Sequence, residues 1–60
     1  MTFEEAKAIV ADEAPHLLVD ESRPDVAYLL SVHREGDAAR TNFDVRQYSE
    51  ADMRAAVKGL

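Results

Sequence analysis

Residues 40–46, Arg-Thr-Asn-Phe-Asp-Val-Arg, place Thr41, Phe43 and Val45 in strict alternation with polar side chains. A period of two sends successive side chains to opposite faces, and Asn and Asp in a helix interior compete with its backbone hydrogen bonds, so the stretch predicts a half-buried β-strand. A strand alone leaves its backbone donors and acceptors unpaired. Its upstream neighbour, Val26 to Glu35, is ambiguous taken by itself. As a helix it puts Val26, Leu29, Leu30 and His33 on one face, with Pro24 suited to the start and Gly36 to the end. As a strand it alternates Val26, Tyr28, Leu30 and Val32 with Ala27, Leu29, Ser31 and His33. A two-residue turn at Gly36-Asp37, with glycine first as type II′ prefers, sets Val32 opposite Thr41, Leu30 opposite Phe43, Tyr28 opposite Val45 and Val26 opposite Gln47. The apolar residues of both strands then share one side, and a slip by one residue would turn one set outward. The pair predicts a β-hairpin.

A helix is expected on either side. Thr2 and Glu5 have the capping-box spacing, Glu4 and Glu5 suit the positive end of a helix dipole, and Phe3, Ala6, Ile9, Val10 and Ala14 form a narrow apolar stripe. Pro15 disfavours helical backbone at Ala14, which predicts an end at Glu13 or Ala14. At the other end Ser49 is a cap with Asp52 three residues on, Tyr48 and Met53 have the spacing of a hydrophobic staple, and Met53, Ala56, Val57 and Leu60 recur at helical intervals. Between the first helix and the hairpin, His16 to Val19 reads as extended, available as a third short strand, and Asp20 to Asp25 as a polar loop. The expected architecture is a single α+β domain over residues 1–60 in the order α-β-β-α, with both helices packed on one face of the hairpin.

Sixty residues without cysteine set further bounds. A chain of this size buries only about 60% of the surface it exposes when unfolded, and it has neither disulfides nor thiolate zinc sites to add to its core. No apolar run approaches the roughly 20 residues of a membrane span, and MTFEEAKAI is acidic where a signal peptide would be basic; the expected location is cytosolic. The net charge of −5 is uneven: Met1 to Asp25 carries seven acids against Lys7 and Arg23, while Val26 to Leu60 carries five charges of each sign.

Candidate chemistry is sparse. Neither His16 nor His33 has a second histidine at ligand spacing, so no metal or other cofactor is expected. Ser22, Ser31 and Ser49 have carboxylates nearby, but Ser49 serves as a cap and Ser22 lies in a loop, and a domain this small offers little room for a water-excluding pocket. Asp12-Glu13 and Asp20-Glu21 are adjacent pairs that point apart on regular backbone, unlike the paired carboxylates of a hydrolase. No enzymatic activity is expected. The outer hairpin face carries His33, Arg40, Asn42 and Arg46, with Arg34 near the tip, and β-ribbons of this kind can enter a major groove. Asp44 within that face, with Glu35 and Asp37 at the tip, dilutes the cations that phosphate binding requires, so direct nucleic-acid binding is not expected.

The excess acids suggest a protein partner instead. Asp12, Glu13, Asp20, Glu21 and Asp25 would form a dispersed negative surface if the first helix and the loop lie side by side, and Glu35 and Asp37 would add a second contact at the hairpin tip. In size, acidity and lack of cysteine the chain resembles phage-encoded inhibitors of bacterial defence, anti-CRISPR proteins among them, some of which act as nucleic-acid mimics. That likeness is one of size and composition. The expectation is a non-enzymatic inhibitor, monomeric or weakly dimeric, that presents these acids to a partner's basic, nucleic-acid-binding surface. The alternative is a small self-associating structural or regulatory module, joined through the hairpin edge or through apolar residues such as Leu17, Leu18, Val19 and Leu29.

Overall fold

A computed structural model describes residues 1–21 and 24–60. Helix α1 spans Phe3–Glu13, strand β1 Leu17–Val19, β2 Leu29–Arg34, β3 Thr41–Asp44 and helix α2 Glu50–Lys58, with short 3₁₀ turns at Pro24–Val26 and Val45–Gln47. The strands form one antiparallel sheet in the order β1-β2-β3. Ser22 and Arg23, part of the loop expected at Asp20 to Asp25, lie outside the described residues. None of the described helices is long and apolar enough to cross a membrane.

Both helices start as their sequences predict. The Glu5 N–H donates to Thr2 Oγ1 (3.1 Å) and the Thr2 N–H to Glu5 Oε1 (3.0 Å), completing the capping box. That hydrogen bond from the Thr2 backbone lowers the Glu5 pKa, aided by the threonine hydroxyl. At α2 the Asp52 N–H donates to Ser49 Oγ (3.1 Å). Helix α1 ends at Glu13, where Ala14, just ahead of Pro15, leaves helical backbone and its N–H closes the last turn on the Val10 carbonyl (2.8 Å).

The hairpin has the expected register. Leu29 lies opposite Asp44, Leu30 opposite Phe43, Ser31 opposite Asn42 and Val32 opposite Thr41. Leu17 to Val19 is the third strand, paired with β2 so that Val19 faces Val32 and Leu18 faces His33. Leu17, Leu30, Val32, Phe43 and Val45 from the sheet side meet Ala6, Ile9, Val10 and Ala14 of the α1 segment and Met53 and Val57 of α2 in one core. The Phe43 and Tyr48 rings meet edge to face at 5.5 Å, which seats the entrance to α2 against β3.

Two details of the hairpin differ from expectation. The tight turn is centred on Glu35-Gly36, not Gly36-Asp37: the Asp37 N–H donates to the Arg34 carbonyl (3.1 Å), and Gly36, with φ of +78°, fills the second central position, where a type II turn needs positive φ. Four further residues return before β3. Asp37 absorbs part of this slack, its Oδ1 accepting from the Ala39 N–H (2.9 Å). The strands are also shorter than predicted. The Val45 N–H still reaches the Tyr28 carbonyl (3.0 Å), but Asp44 Oδ1 accepts from the Arg46 N–H (3.1 Å) and the chain curls into a 3₁₀ turn. Val26 and Gln47 therefore lie in separate turns and do not pair, and Tyr28 is exposed.

Candidate protein-binding surface

The twelve carboxylates divide into two groups. The first is bound to the protein's own cations. Arg54 is the main hub: Nη1 donates to Asp12 Oδ2 (2.7 Å) and Glu13 Oε1 (2.9 Å), and Nη2 and Nε donate to Glu50 Oε1 (3.1 and 3.3 Å). Lys58 Nζ lies 3.7 Å from Glu13 Oε2. The contacts to Asp12, then Glu13, then Glu50 raise the Arg54 pKa. Helix geometry explains the arrangement. Asp12 and Glu13 sit at the C-terminal end of α1, where the helix dipole disfavours negative charge, and α1 has no basic residue in its last turn. Helix α2 runs alongside in the same sense, since Glu13 meets Lys58 near both helix ends, and it supplies the missing cations.

A second cluster lies on the outer sheet face. Asp20 Oδ2 accepts from Arg40 Nε (2.7 Å), and Asp20 Oδ1 lies 3.5 Å from His33 Nε2. Ser31 Oγ donates to Asn42 Oδ1 (2.6 Å). Arg46 grips Asp44 with two bonds, Nη2 to Oδ2 (2.8 Å) and Nε to Oδ1 (3.0 Å), and its guanidinium covers the Tyr28 ring at 3.8 Å. Donation from the Arg46 side chain holds the Asp44 pKa below the usual carboxylate value. The arginines of the hairpin are thus engaged: Arg40 and Arg46 by carboxylates, and Arg34 Nη2 by the Leu60 backbone oxygen (2.7 Å).

The second group of carboxylates faces solvent. Glu4, Glu5, Glu21, Asp25, Glu35, Asp37 and Asp52 are exposed and make no ion pair with a cation among the described residues. The seven acids expected to bind a partner are carried by several different elements. Asp12 and Glu13 belong to the helix layer, Asp20 to the outer sheet face, Glu21 and Asp25 to the connection leading to β2, and Glu35 and Asp37 to the turn that follows β2.

The structure also brings residues together that the sequence reading did not connect. An open cleft of about 520 Å³ runs between α1 and the start of α2, with Met1, Ile9 and Tyr48 in its apolar lining and Arg54 at its edge. Arg54 stands four residues after Glu50, the spacing of a helical ion pair, and this was the only local sign of its role. The apolar run Leu17 to Val19 is largely absorbed, with Leu17 buried and Val19 packed against the core. Among large hydrophobic residues described, Leu18 and Tyr28 are exposed, at 45% and 39%, near opposite ends of β2. No buried residue among those described is polar or charged, and no group of three or more described His, Cys, Asp or Glu side chains is placed to hold a metal ion. No protein-family model, curated protein or solved structure matches the chain.

Proposed function

We propose that the protein is a non-catalytic inhibitor that docks through unpaired surface carboxylates on the basic, nucleic-acid-binding surface of a partner protein, in the manner of a phage-encoded nucleic-acid mimic. The observation that carries this reading is the division of the acids. Intramolecular pairing occupies Asp12, Glu13, Asp20, Asp44 and Glu50, while Glu21, Asp25, Glu35 and Asp37 remain exposed without a cation partner among the described residues. Four of the unpaired acids thus sit at connections, with Glu4, Glu5 and Asp52 in the first turns of the helices, on a fold that uses its paired acids as braces. Asp12, Glu13 and Asp20 support the surface, and Glu21, Asp25, Glu35 and Asp37 make the contacts.

Such carboxylates steer a cationic partner from a distance and act through charge-assisted contacts on arrival. They need no enclosed pocket. Because exposed charges are screened over about 8 Å at physiological ionic strength, binding should weaken steeply with salt. The test is capture of nucleic-acid-binding proteins from host cytosol by the immobilised protein, with elution by duplex DNA or by salt. The variant E21Q/D25N/E35Q/D37N, whose braces are intact, should lose this capture while keeping its circular dichroism spectrum. Undiminished capture by the variant, or capture insensitive to salt, would overturn the reading.

A further inference from the structure

The cleft between α1 and the start of α2 has a chemistry of its own. Its deeper wall is apolar: Ile9 is buried, and Met1 and Tyr48 are half-buried. Around its mouth stand three exposed carboxylates, Glu5, Asp12 and Glu50. Each has one oxygen committed within the protein, Glu5 Oε1 to the Thr2 N–H, Asp12 Oδ2 to Arg54 and Glu50 Oε1 to Arg54. The second oxygen of each has no hydrogen-bond partner among the described residues. Two cations stand nearby: Arg54, and the Met1 amino group, which is engaged by the Val45 carbonyl (3.1 Å). The mouth therefore keeps a net negative charge over an apolar wall.

A ligand matched to this cleft has an aliphatic stem and a cationic head with several donors. An arginine side chain has that form, since its planar fork offers five N–H donors to carboxylates on more than one side, whereas the compact, strongly hydrated lysine head would gain less. The volume of about 520 Å³ lies within the ordinary range of side-chain and small-ligand sites. We infer that the cleft is the arginine-recognition site of this protein, receiving one arginine of the basic partner surface. The inference rests on the proposed acidic docking and adds a specific anchor to it. The dispersed carboxylates supply attraction, and the cleft supplies orientation.

The probe is the peptide acetyl-Gly-Arg-Gly-amide, titrated into isotope-labelled protein and followed by amide chemical shifts. Shifts should concentrate at Ala8, Ile9, Asp12, Ser49 and Glu50. The same peptide with citrulline, which keeps the shape and loses the charge, should bind about tenfold more weakly, as expected for loss of a charge-assisted contact. In the variant Ala8→Arg the exposed helix position supplies an arginine of its own at the cleft, and peptide binding should disappear while the circular dichroism spectrum is kept. Equal binding of the citrulline peptide, or shifts gathered at Glu21, Asp25, Glu35 and Asp37 instead, would overturn the site. Partner capture separates the two readings. Ala8→Arg leaves those four acids untouched, so salt-sensitive capture that survives in it removes the cleft and leaves the acidic-surface reading standing. Capture that survives in E21Q/D25N/E35Q/D37N removes the acidic-surface reading, whatever the peptide does.

Discussion

Leu30 and Ser31 are neighbours on the central strand, but their side chains enter two different kinds of structure. Leu30 is fully buried, facing Phe43 in the core that also holds Met53 and Val57 of α2. Ser31 points to the outer face, where its hydroxyl bonds to Asn42. The core face is held by removing apolar surface from water, at roughly 25 cal/mol per Å². The outer face is held by exposed hydrogen bonds and ion pairs, Asp20 with Arg40 and Asp44 with Arg46, whose individual contributions in water are small. One side of the sheet therefore supplies most of the stability, and the other contributes little per contact.

The strongest attack on that comparison is Leu30→Ala. Truncating a buried leucine costs about 2–5 kcal/mol, through lost burial and the cavity left behind. A 60-residue domain has a total stability of roughly 3–9 kcal/mol at ordinary per-residue values. Urea unfolding should therefore show the variant at the edge of folding at 25 °C. A midpoint close to that of the wild type would mean the sheet is not held by its helix side.

The strength of the core pattern also explains what could be read from the sequence. The register of β2 against β3 was legible because two independent alternations had to agree, and pairing Leu30 with Phe43 satisfied both. The capping box at Thr2 and Glu5 and the cap at Ser49 were legible because they are local in sequence. The turn was not, since a glycine next to an aspartate suits more than one turn position and only the backbone path decides which residue takes positive φ. Nor were the strand ends, because Asp44 can continue a strand or cap the next turn with its side chain. The pairing of Asp12 and Glu13 was the least legible. Asp12 and Glu13 look like free charge along the chain, and their partners, Arg54 and Lys58, lie some forty residues away on the adjacent helix.

Gly36→Ala is expected to have the next largest effect, and it bears on both faces because the tip joins the two strands. Nothing lies within 4 Å of the position an alanine Cβ would take, so the cost is one of backbone conformation alone. Holding alanine at a φ of +78° should cost about 1–2 kcal/mol, with Gly36→Asn recovering part of the loss. Equal stability of the alanine variant would show that the turn relaxes without strain.

Acid should then distinguish the faces without a mutation. The Asp44 pKa is lowered by Arg46, and that of Glu5 by its capping hydrogen bonds with Thr2. A carboxylate with a depressed folded-state pKa contributes stability that is complete above its unfolded value, near 4, and is lost as pH falls through the lower folded value. Urea midpoints should thus hold steady from pH 7 to about 5 and decline below about 4. Asp44→Asn should make that decline shallower, whereas a buried apolar change such as Val57→Ala should lower the whole curve without altering its shape. A slope identical in Asp44→Asn and the wild type would remove the Asp44–Arg46 pair from the account.

The smallest effect should come from the residue beside Leu30. Ser31→Ala removes a hydroxyl that donates to Asn42 Oδ1 at 2.6 Å, and the bond is exposed, so water can take over at the asparagine once the hydroxyl is gone. No buried group is left unsatisfied and no cavity opens, so the change should stay within about 0.5 kcal/mol, as for other surface substitutions. Measured together, Leu30→Ala and Ser31→Ala change adjacent residues of one strand, with the same neighbours along the chain and the same ladder. Any difference between them belongs to the face, not to the strand. A Ser31→Ala loss approaching that of Leu30→Ala would mean that the outer face carries stability too.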